Sequence, residues 1–281
     1  MRRHPNWLKV RIAGGENYSK VKKLLRSAKL HTICEEAKCP NIAECFGSGT
    51  AVFLILGAIC TRDCRYCNVK HGVPIALNFD EPRDISESIK VLGLRYVVVT
   101  SVTRDDLNDG GASVFYETIH EIRRLNDACK IEVLIPDFRG NTAAIQKVVD
   151  AAPDVINHNI EVVEELFPMI RPQGDYQRSL DVLKTIKIME SGIPTKSGFM
   201  VGLGETTEQI YKTMHDLKAA DADFLTIGQY LQPTRNHAEV EKYYTPEEFE
   251  GLKNAALRVG FMHVESGPLV RSSYHAQNAL D

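Results

Sequence analysis

Cys60, Cys64 and Cys67 form a C-x3-C-x2-C string, and Cys34, Cys39 and Cys45 form a C-x4-C-x5-C string just before it. Six of the seven cysteines therefore fall within 34 consecutive residues, with Cys129 alone elsewhere. Thiolates are soft ligands suited to iron or zinc. A closed [4Fe–4S] site takes four cysteines, so a triplet leaves one metal corner open. An open corner lets a substrate reach the metal, by the logic that separates catalytic from structural zinc sites. A structural zinc site that borrows a fourth ligand is the other use of such a triplet. A disulfide scaffold is a poor fit, because the chain is long, starts without a signal peptide and keeps its thiols in one place. A reducing compartment and bound metal are expected.

Such ligands need a frame. Short β-branched or apolar runs recur at Val52–Gly57, Tyr96–Thr100, Ile131–Ile135, Val155–Ile160, Lys196–Val201 and Phe224–Gly228. Between them apolar residues repeat with helical period, as at Ile85, Ile89 and Leu92, at Val114, Ile119, Ile122 and Leu125, at Leu180, Leu183, Ile186 and Met189, and at Ile210, Met214 and Leu217. Thr206 or Thr207 is the expected cap of the last of these. Six alternating units predict an α/β protein with a parallel sheet and right-handed crossovers, closed most economically as a partial (β/α)6 TIM-type barrel. A flat doubly wound sheet is the alternative. In both, ligands sit at the carboxyl ends of the strands, and Cys60 follows the first strand directly. The expected organisation is an N-terminal extension over residues 1–50, a barrel over 51–245 and a C-terminal extension over 246–281, with a helix at Pro246–Val259 and a short strand at Met262–Glu265.

Composition narrows the function classes. The chain has 281 residues, 43% hydrophobic and 25% charged, with a net charge of −3. These values exclude a mainly disordered or collagen-like chain. No global field points to nucleic acid or a membrane. The longest apolar run, from Ala51 to Ile59, is too short to span a bilayer. The first 31 residues hold nine Lys or Arg and one acid, Glu16. That basic arm, with Arg2, Arg3, Lys20, Lys22, Lys23 and Arg26, suits an acidic partner or a solvated start. A cytoplasmic location is expected; an organelle leader is less favoured, since the stretch is not Ser-rich.

The C-x3-C-x2-C spacing, with Tyr66 before the third cysteine, resembles the radical S-adenosylmethionine (radical SAM) superfamily. The full set is more specific: both triplets, the string Arg271-Ser272-Ser273-Tyr274 near the end, and the stretches Thr100–Gly111, Asn157–Glu161, Lys196–Thr206 and Gly228–Thr234 resemble the lipoyl synthase family. The resemblance implies two [4Fe–4S] clusters and S-adenosyl-L-methionine as cofactors. Cys60, Cys64 and Cys67 would hold the catalytic cluster. Cys34, Cys39 and Cys45 would hold an auxiliary cluster, whose fourth ligand is Ser273 or, less favoured, Ser272. Ser273 thus counts with the catalytic residues. An alkoxide matches iron less well than a thiolate, so a serine-held corner suits a cluster that is broken in use.

The implied reaction is SAM-dependent radical insertion of two sulfur atoms at C6 and C8 of a protein-bound octanoyl-lysine, the sulfur coming from a sacrificial auxiliary cluster. Methylene hydrogens have no useful acidity, which is why a carbon radical is needed; positioning and exclusion of water fall to the protein. Implied SAM-site residues are Tyr66, Thr100, Ser101, Asn159, Glu161, Gly202, Gly204 and Glu205, with Thr103, Arg104 and Asp105 on the same loop as Ser101. Arg171 and Arg178 meet a carboxylate, the auxiliary site or surface partners. His158, His263 and Cys129 are read as packing residues. Implied partners are an octanoylated lipoyl carrier domain or H protein and reduced ferredoxin or flavodoxin, with a monomeric enzyme. The alternatives are another radical SAM sulfur-inserting enzyme, a two-cluster electron carrier, which the long βα body argues against, or a zinc-stabilised binding module.

Overall fold

The computed structural model describes residues 5–9, 15–27, 30–37, 39–47 and 52–279. Arg2, Arg3 and the side chain of Lys20 in the basic arm lie outside the described residues. The chain divides into two compact units, Val10–Arg62 with Val69–Ile156, and Met1–Lys9 with Asp63–Asn68 and Asn157–Asp281.

The first unit contains α1 (Glu16–Ser27), β1 (His31–Thr32), α2 (Ile33–Glu36), α3 (Ile42–Gly47), β2 (Val52–Ile55), β3 (Ile59–Cys60), β4 (Lys70–His71), α4 (Glu81–Leu92), β5 (Tyr96–Ser101), α5 (Ala112–Leu125), β6 (Lys130–Leu134) and α6 (Thr142–Asp150). It ends within β7 (Val155–Asn157). Strands β2, β5 and β6 are parallel, with Val52 opposite Val98 and Val99 opposite Val133. All four residues of β2 are buried, as are Val97, Val98 and Val99. Continuous apolar runs of this kind mark strands covered on both faces. Ile85 and Ile89 of α4 and Phe115, Ile119 and Ile122 of α5 are buried as well, and the two helices pack together. Pro82 in the first turn of α4 and left-handed Gly93 after its last set that helix's ends. The short β1 pairs antiparallel with β2, and β3 with β4 forms a separate parallel ribbon.

The second unit contains α7 (Phe167–Ile170), α8 (Tyr176–Met189), β8 (Thr195–Val201), α9 (Thr207–Ala219), β9 (Phe224–Gln229), α10 (Pro246–Val259) and β10 (His263–Gly267). Strands β8, β9 and β10 are parallel, and Phe224 faces Lys196 on one side and His263 on the other. Its core gathers Phe167, Leu183, Phe199, Met214, Ile227, Tyr230 and Phe249. Full burial of each such side chain stabilises by roughly 1.5–3 kcal/mol. Thr206 caps α9 and Thr245 caps α10, each through a reciprocal box with Gln209 and Glu248.

Most expected runs became strands. The runs from Val52 and Val155 stop early: the first ends at Ile55 rather than Gly57, and the second ends at Asn157 rather than Ile160. Beyond it His158 donates to the Lys196 carbonyl at 3.0 Å, and Glu161, at φ 71°, makes a single bridge to Phe199. The polar Asn157, His158 and Asn159 interrupt the apolar run here, and contact with β8 resumes only at separate points. Asn159 and Glu161 therefore sit on an irregular segment after β7, not at a strand end.

Candidate active site

In the first unit the loops leaving the carboxyl ends of β2, β5 and β6 are tied by one buried guanidinium. Arg62 donates from Nε and Nη2 to Asp105 at 2.7 and 2.9 Å, and from Nη1 and Nη2 to Asp137 at 2.9 and 2.7 Å. Its side chain is 4% exposed, and that of Asp137 is 0%. The Arg62 backbone N–H points at Cys60 Sγ, 3.4 Å away. Thr61 donates to the Thr103 carbonyl through both its N–H and its hydroxyl, at 3.0 Å each. Arg104 grips Asp106 and reaches the Leu56 carbonyl at 3.2 Å. Thus Thr103, Arg104 and Asp105 hold the cysteine loop in place. Thr100 donates to the Leu134 carbonyl at 3.1 Å, whereas the buried Ser101 hydroxyl finds no partner among the described residues.

Cys34, Cys39 and Cys45 lie in the same unit. Thr32 caps α2, accepting from Glu35 N–H at 3.3 Å. Cys39 N–H then donates to the Cys34 carbonyl at 3.0 Å, and Cys45 N–H to the Asn41 carbonyl at 2.9 Å. Burial first, then the nearby charge of Cys39, pushes the Cys34 thiol far up and the Cys45 thiol to about 11. Thiols held in their protonated form by burial and by one another's proximity, as Cys34 and Cys45 are, suit a soft cation, which would stabilise their thiolates. Among the described residues no three His, Cys, Asp or Glu side chains form a metal-holding group, so the fit lies in the chemistry of the donors. None of the seven cysteines is in a disulfide.

In the second unit Cys64 and Cys67 close a turn, Cys67 N–H to Cys64 carbonyl at 3.0 Å. Arg65 anchors it twice, donating to the Ile170 carbonyl and accepting from Ala238 N–H, both at 2.9 Å. His237 bonds the Cys67 carbonyl through Nε2 at 2.9 Å and Thr234 through Nδ1 at 2.8 Å. Tyr66 packs on the core and hydrogen-bonds Glu161. Burial and the Glu161 charge hold its phenol well above the usual range. Burial likewise raises Glu161, against the opposing charge of Arg171 and an Asn159 Nδ2 bond of 3.1 Å. The Asn159 Oδ1 atom is buried without a partner among the described residues. With Ser101, it is a group whose desolvation a ligand would relieve. Arg171 spends its Nη1 on the Asn159 and Ile160 carbonyls, at 3.3 and 3.1 Å.

The glycine turn differs from its simplest reading. Glu205 folds back on it, accepting from Gly202 N–H at 2.6 Å and Leu203 N–H at 2.9 Å. Gly202 and Gly204 both have φ 105°, and a Cβ at Gly202 would strike the Gln229 amide and the Lys242 carbonyl. Glycine is needed for conformation and for space together. Ser272 and Ser273 sit in a turn closed by Tyr274 N–H to the Arg271 carbonyl at 2.9 Å. That tail approaches β9 at Gly228, where a Cβ would strike the Val270 carbonyl. Arg178 starts α8, its N–H capped by Asp175. Cys129 and His158 are buried, and His263 packs edge-on to Phe224.

Four groups escaped the sequence reading, Arg62, Arg65, Asp137 and His237. Asp137 and His237 lie 75 and 170 positions from Arg62 and Cys67, the partners they hold. The available signal was a charged residue just past the carboxyl end of an apolar strand, which Asp137 satisfies.

Known proteins share these features. The pattern of the radical SAM superfamily matches residues 54–217, and that of the N-terminal domain of lipoyl synthase, in the same superfamily, matches residues 1–39. Lipoyl synthase of Rubrobacter xylanophilus is 55% identical over 277 residues, 99% of this chain and 86% of that one. Lipoyl synthase of Caldicellulosiruptor bescii is 53% identical over 277 residues, 99% and 95% of the two chains. Among solved structures, HydG, a maturase of the [FeFe]-hydrogenase, aligns with a TM-score of 0.59 at 16% identity, over 94% of this chain and 75% of that one. SuiB of Streptococcus suis bound to S-adenosylmethionine aligns at 0.60 and 11% identity, over 82% and 54%. At such identities the structures speak for the fold, that of the TIM-type radical SAM enzymes.

Proposed function

Since the chain belongs to the lipoyl synthase family of the radical SAM superfamily, and is a radical SAM sulfur-inserting enzyme acting on an octanoylated carrier, we propose that its two cysteine triplets hold two [4Fe–4S] clusters with separate tasks. The cluster on Cys60, Cys64 and Cys67 would, with SAM, supply a carbon radical able to take hydrogen from C6 and then C8, while that on Cys34, Cys39, Cys45 and Ser273 would supply the sulfur. The protein's own part is to hold and to exclude water. Arg62, Asp105 and Asp137 fix the loop from which Cys60 projects. His237 and Arg65 fix the Cys64–Cys67 turn. In the first unit the Ser101 hydroxyl, with Thr100, and in the second the Asn159 amide oxygen, with Tyr66 and Glu161, are polar groups suited to SAM. Gly202 and Gly204 allow close approach of backbone, and Glu205 shapes that turn at the cofactor site.

The observation that carries the two-centre reading is that Cys34, Cys39 and Cys45 lie together in one unit as free thiols. The enzyme then works as a cytoplasmic monomer, fed electrons by reduced ferredoxin or flavodoxin, on an octanoylated carrier domain or H protein. Among the described residues no helix is long and apolar enough to cross a membrane.

The test is anaerobic reconstitution followed by reaction with SAM, a reductant and an octanoyl-lysyl peptide. The chain should carry about eight irons, and mass spectrometry should show two added sulfurs on no more than one peptide per chain. Cys60→Ala should lose about half the iron and all 5′-deoxyadenosine. Cys34→Ala should lose the same amount of iron but keep 5′-deoxyadenosine formation. Ser273→Ala should lower sulfur transfer more than Ser272→Ala. Sustained turnover without added iron or sulfide would overturn the sacrificial role.

A further inference from the structure

Exposed apolar side chains are unevenly spread along the chain. Val73, Ile75 and Phe79 are 89%, 70% and 88% exposed, three large apolar groups within seven residues. Among the described residues others, such as Val91, Ile188 and Met262, stand singly; isolated exposure needs no explanation, but a cluster does. The stretch from Gly72 to Asn78 belongs to no helix or strand, so no regular element forces these side chains outward. Its start is fixed at the cysteine loop. Gly72 N–H donates to the Cys60 carbonyl at 2.9 Å, and Cys60 lies opposite His71 in the β3–β4 ribbon. Val73 is thus one residue from a direct bond to a thiol-bearing residue.

The substrate sets a limit on where its carrier can stand. From the lysine Cα to C6 of an octanoyl-lysine the fully extended arm spans on the order of 15 Å. While C6 reacts, the folded carrier must therefore press on the rim of the loops that hold the reacting centre. The apolar segment leaves that rim from Gly72, which is bonded to Cys60. We infer that Val73, Ile75 and Phe79 form the docking surface for the folded carrier domain. This rests on the sulfur-insertion reading above and adds where the carrier is recognised. Aromatic and branched side chains at the centre of a contact commonly carry most of its affinity. An irregular segment can adjust to the partner at small cost, because no ladder of backbone hydrogen bonds has to break.

The experiment compares two substrates, the octanoylated carrier domain and a short octanoyl-lysyl peptide, with reconstituted wild type and a Val73→Ser, Ile75→Ser, Phe79→Ser triple variant. The KM for the carrier should rise about ten-fold or more, with kcat for the carrier and both constants for the peptide unchanged. Affinity for the octanoylated carrier, measured by calorimetry without SAM, should fall by the same factor. The melting temperature should hold, since these side chains bury little. A Val73→Ile, Ile75→Val, Phe79→Leu variant should restore carrier binding. Unchanged carrier kinetics in an active enzyme overturn the docking surface alone. So does an equal loss on both substrates, or a wild-type dimer that the triple variant dissociates. A wild type that adds sulfur to neither substrate overturns the sulfur-insertion reading, and the docking surface with it.

Discussion

Removing Arg62 tests whether one buried cation holds the mouth of the first unit together. In Arg62→Met the side chain keeps much of its bulk, but four hydrogen bonds to Asp105 and Asp137 disappear. Asp105 retains some contact with solvent at 19% exposure; Asp137, at 0%, has none. A carboxylate left so deep either stays charged in a poor medium or takes up a proton. At pH 7 protonation lies about three pH units above the ordinary value and costs on the order of 4 kcal/mol. That agrees with the roughly 3–5 kcal/mol lost when one partner of a buried ion pair is removed, and it is a large share of a typical folding stability of about 5–15 kcal/mol. The proton route also sets the pH dependence. At pH 5 the same step costs about 1.5 kcal/mol, so the deficit of the variant should shrink as the pH falls. Urea unfolding of the metal-free chain at both pH values, followed by circular dichroism, gives the two numbers. An added Asp137→Asn substitution should recover part of the loss, because the stranded charge goes with it. A deficit below about 1 kcal/mol that ignores pH, as for a solvated surface pair, would refute the reasoning.

Two more outcomes follow from single positions. Burial alone would raise Asp109, but hydrogen bonds from Ser113 and Gly111 and from Lys147 bring its carboxyl down to about 2. A lowered folded-state value adds stability above the unfolded value of about 4, which is lost as the pH falls toward 2. Allowing for its partial exposure, Asp109→Asn should cost about 1 kcal/mol at pH 6 and almost nothing at pH 2; equal loss at both would contradict the assignment. Gly202→Ala meets both a left-handed backbone and two polar atoms already in place. It should lower stability by about 2–4 kcal/mol, read as a fall in melting temperature, and a neutral result would mean the turn can move.

Regular elements were legible because their signals are local. The apolar period of residues 210–217 and the threonine ahead of it specified α9 with its cap, and Pro246 opens α10 where a first-turn proline belongs. The early end of β7 was legible only in part: Asn157, His158 and Asn159 interrupt the apolar run, but the left-handed Glu161 beyond them leaves no mark in the sequence. The pairing of His31 and Thr32 with β2 was equally hidden, two residues being too few to show alternation. At the site, cysteine spacing announced the chemistry, but the groups that hold it did not show. Asp137 and His237 reach their partners across long stretches of chain. Glu205 is legible as an acid beside a glycine turn, yet only the fold shows its carboxylate turned inward onto Gly202 and Leu203.

The segment that carries Val73, Ile75 and Phe79 also bears on how the protein stays in solution. A stretch of six or seven exposed apolar residues is a template on which other chains can add strands and begin to aggregate. Pro74 interrupts it: without an N–H it cannot complete a cross-strand ladder, and its ring fixes the local backbone. Asn78 and Asp80, both polar and exposed, bracket Phe79. The sequence thus keeps its greasy side chains outward while denying neighbouring copies a continuous edge, as gatekeeper residues do elsewhere.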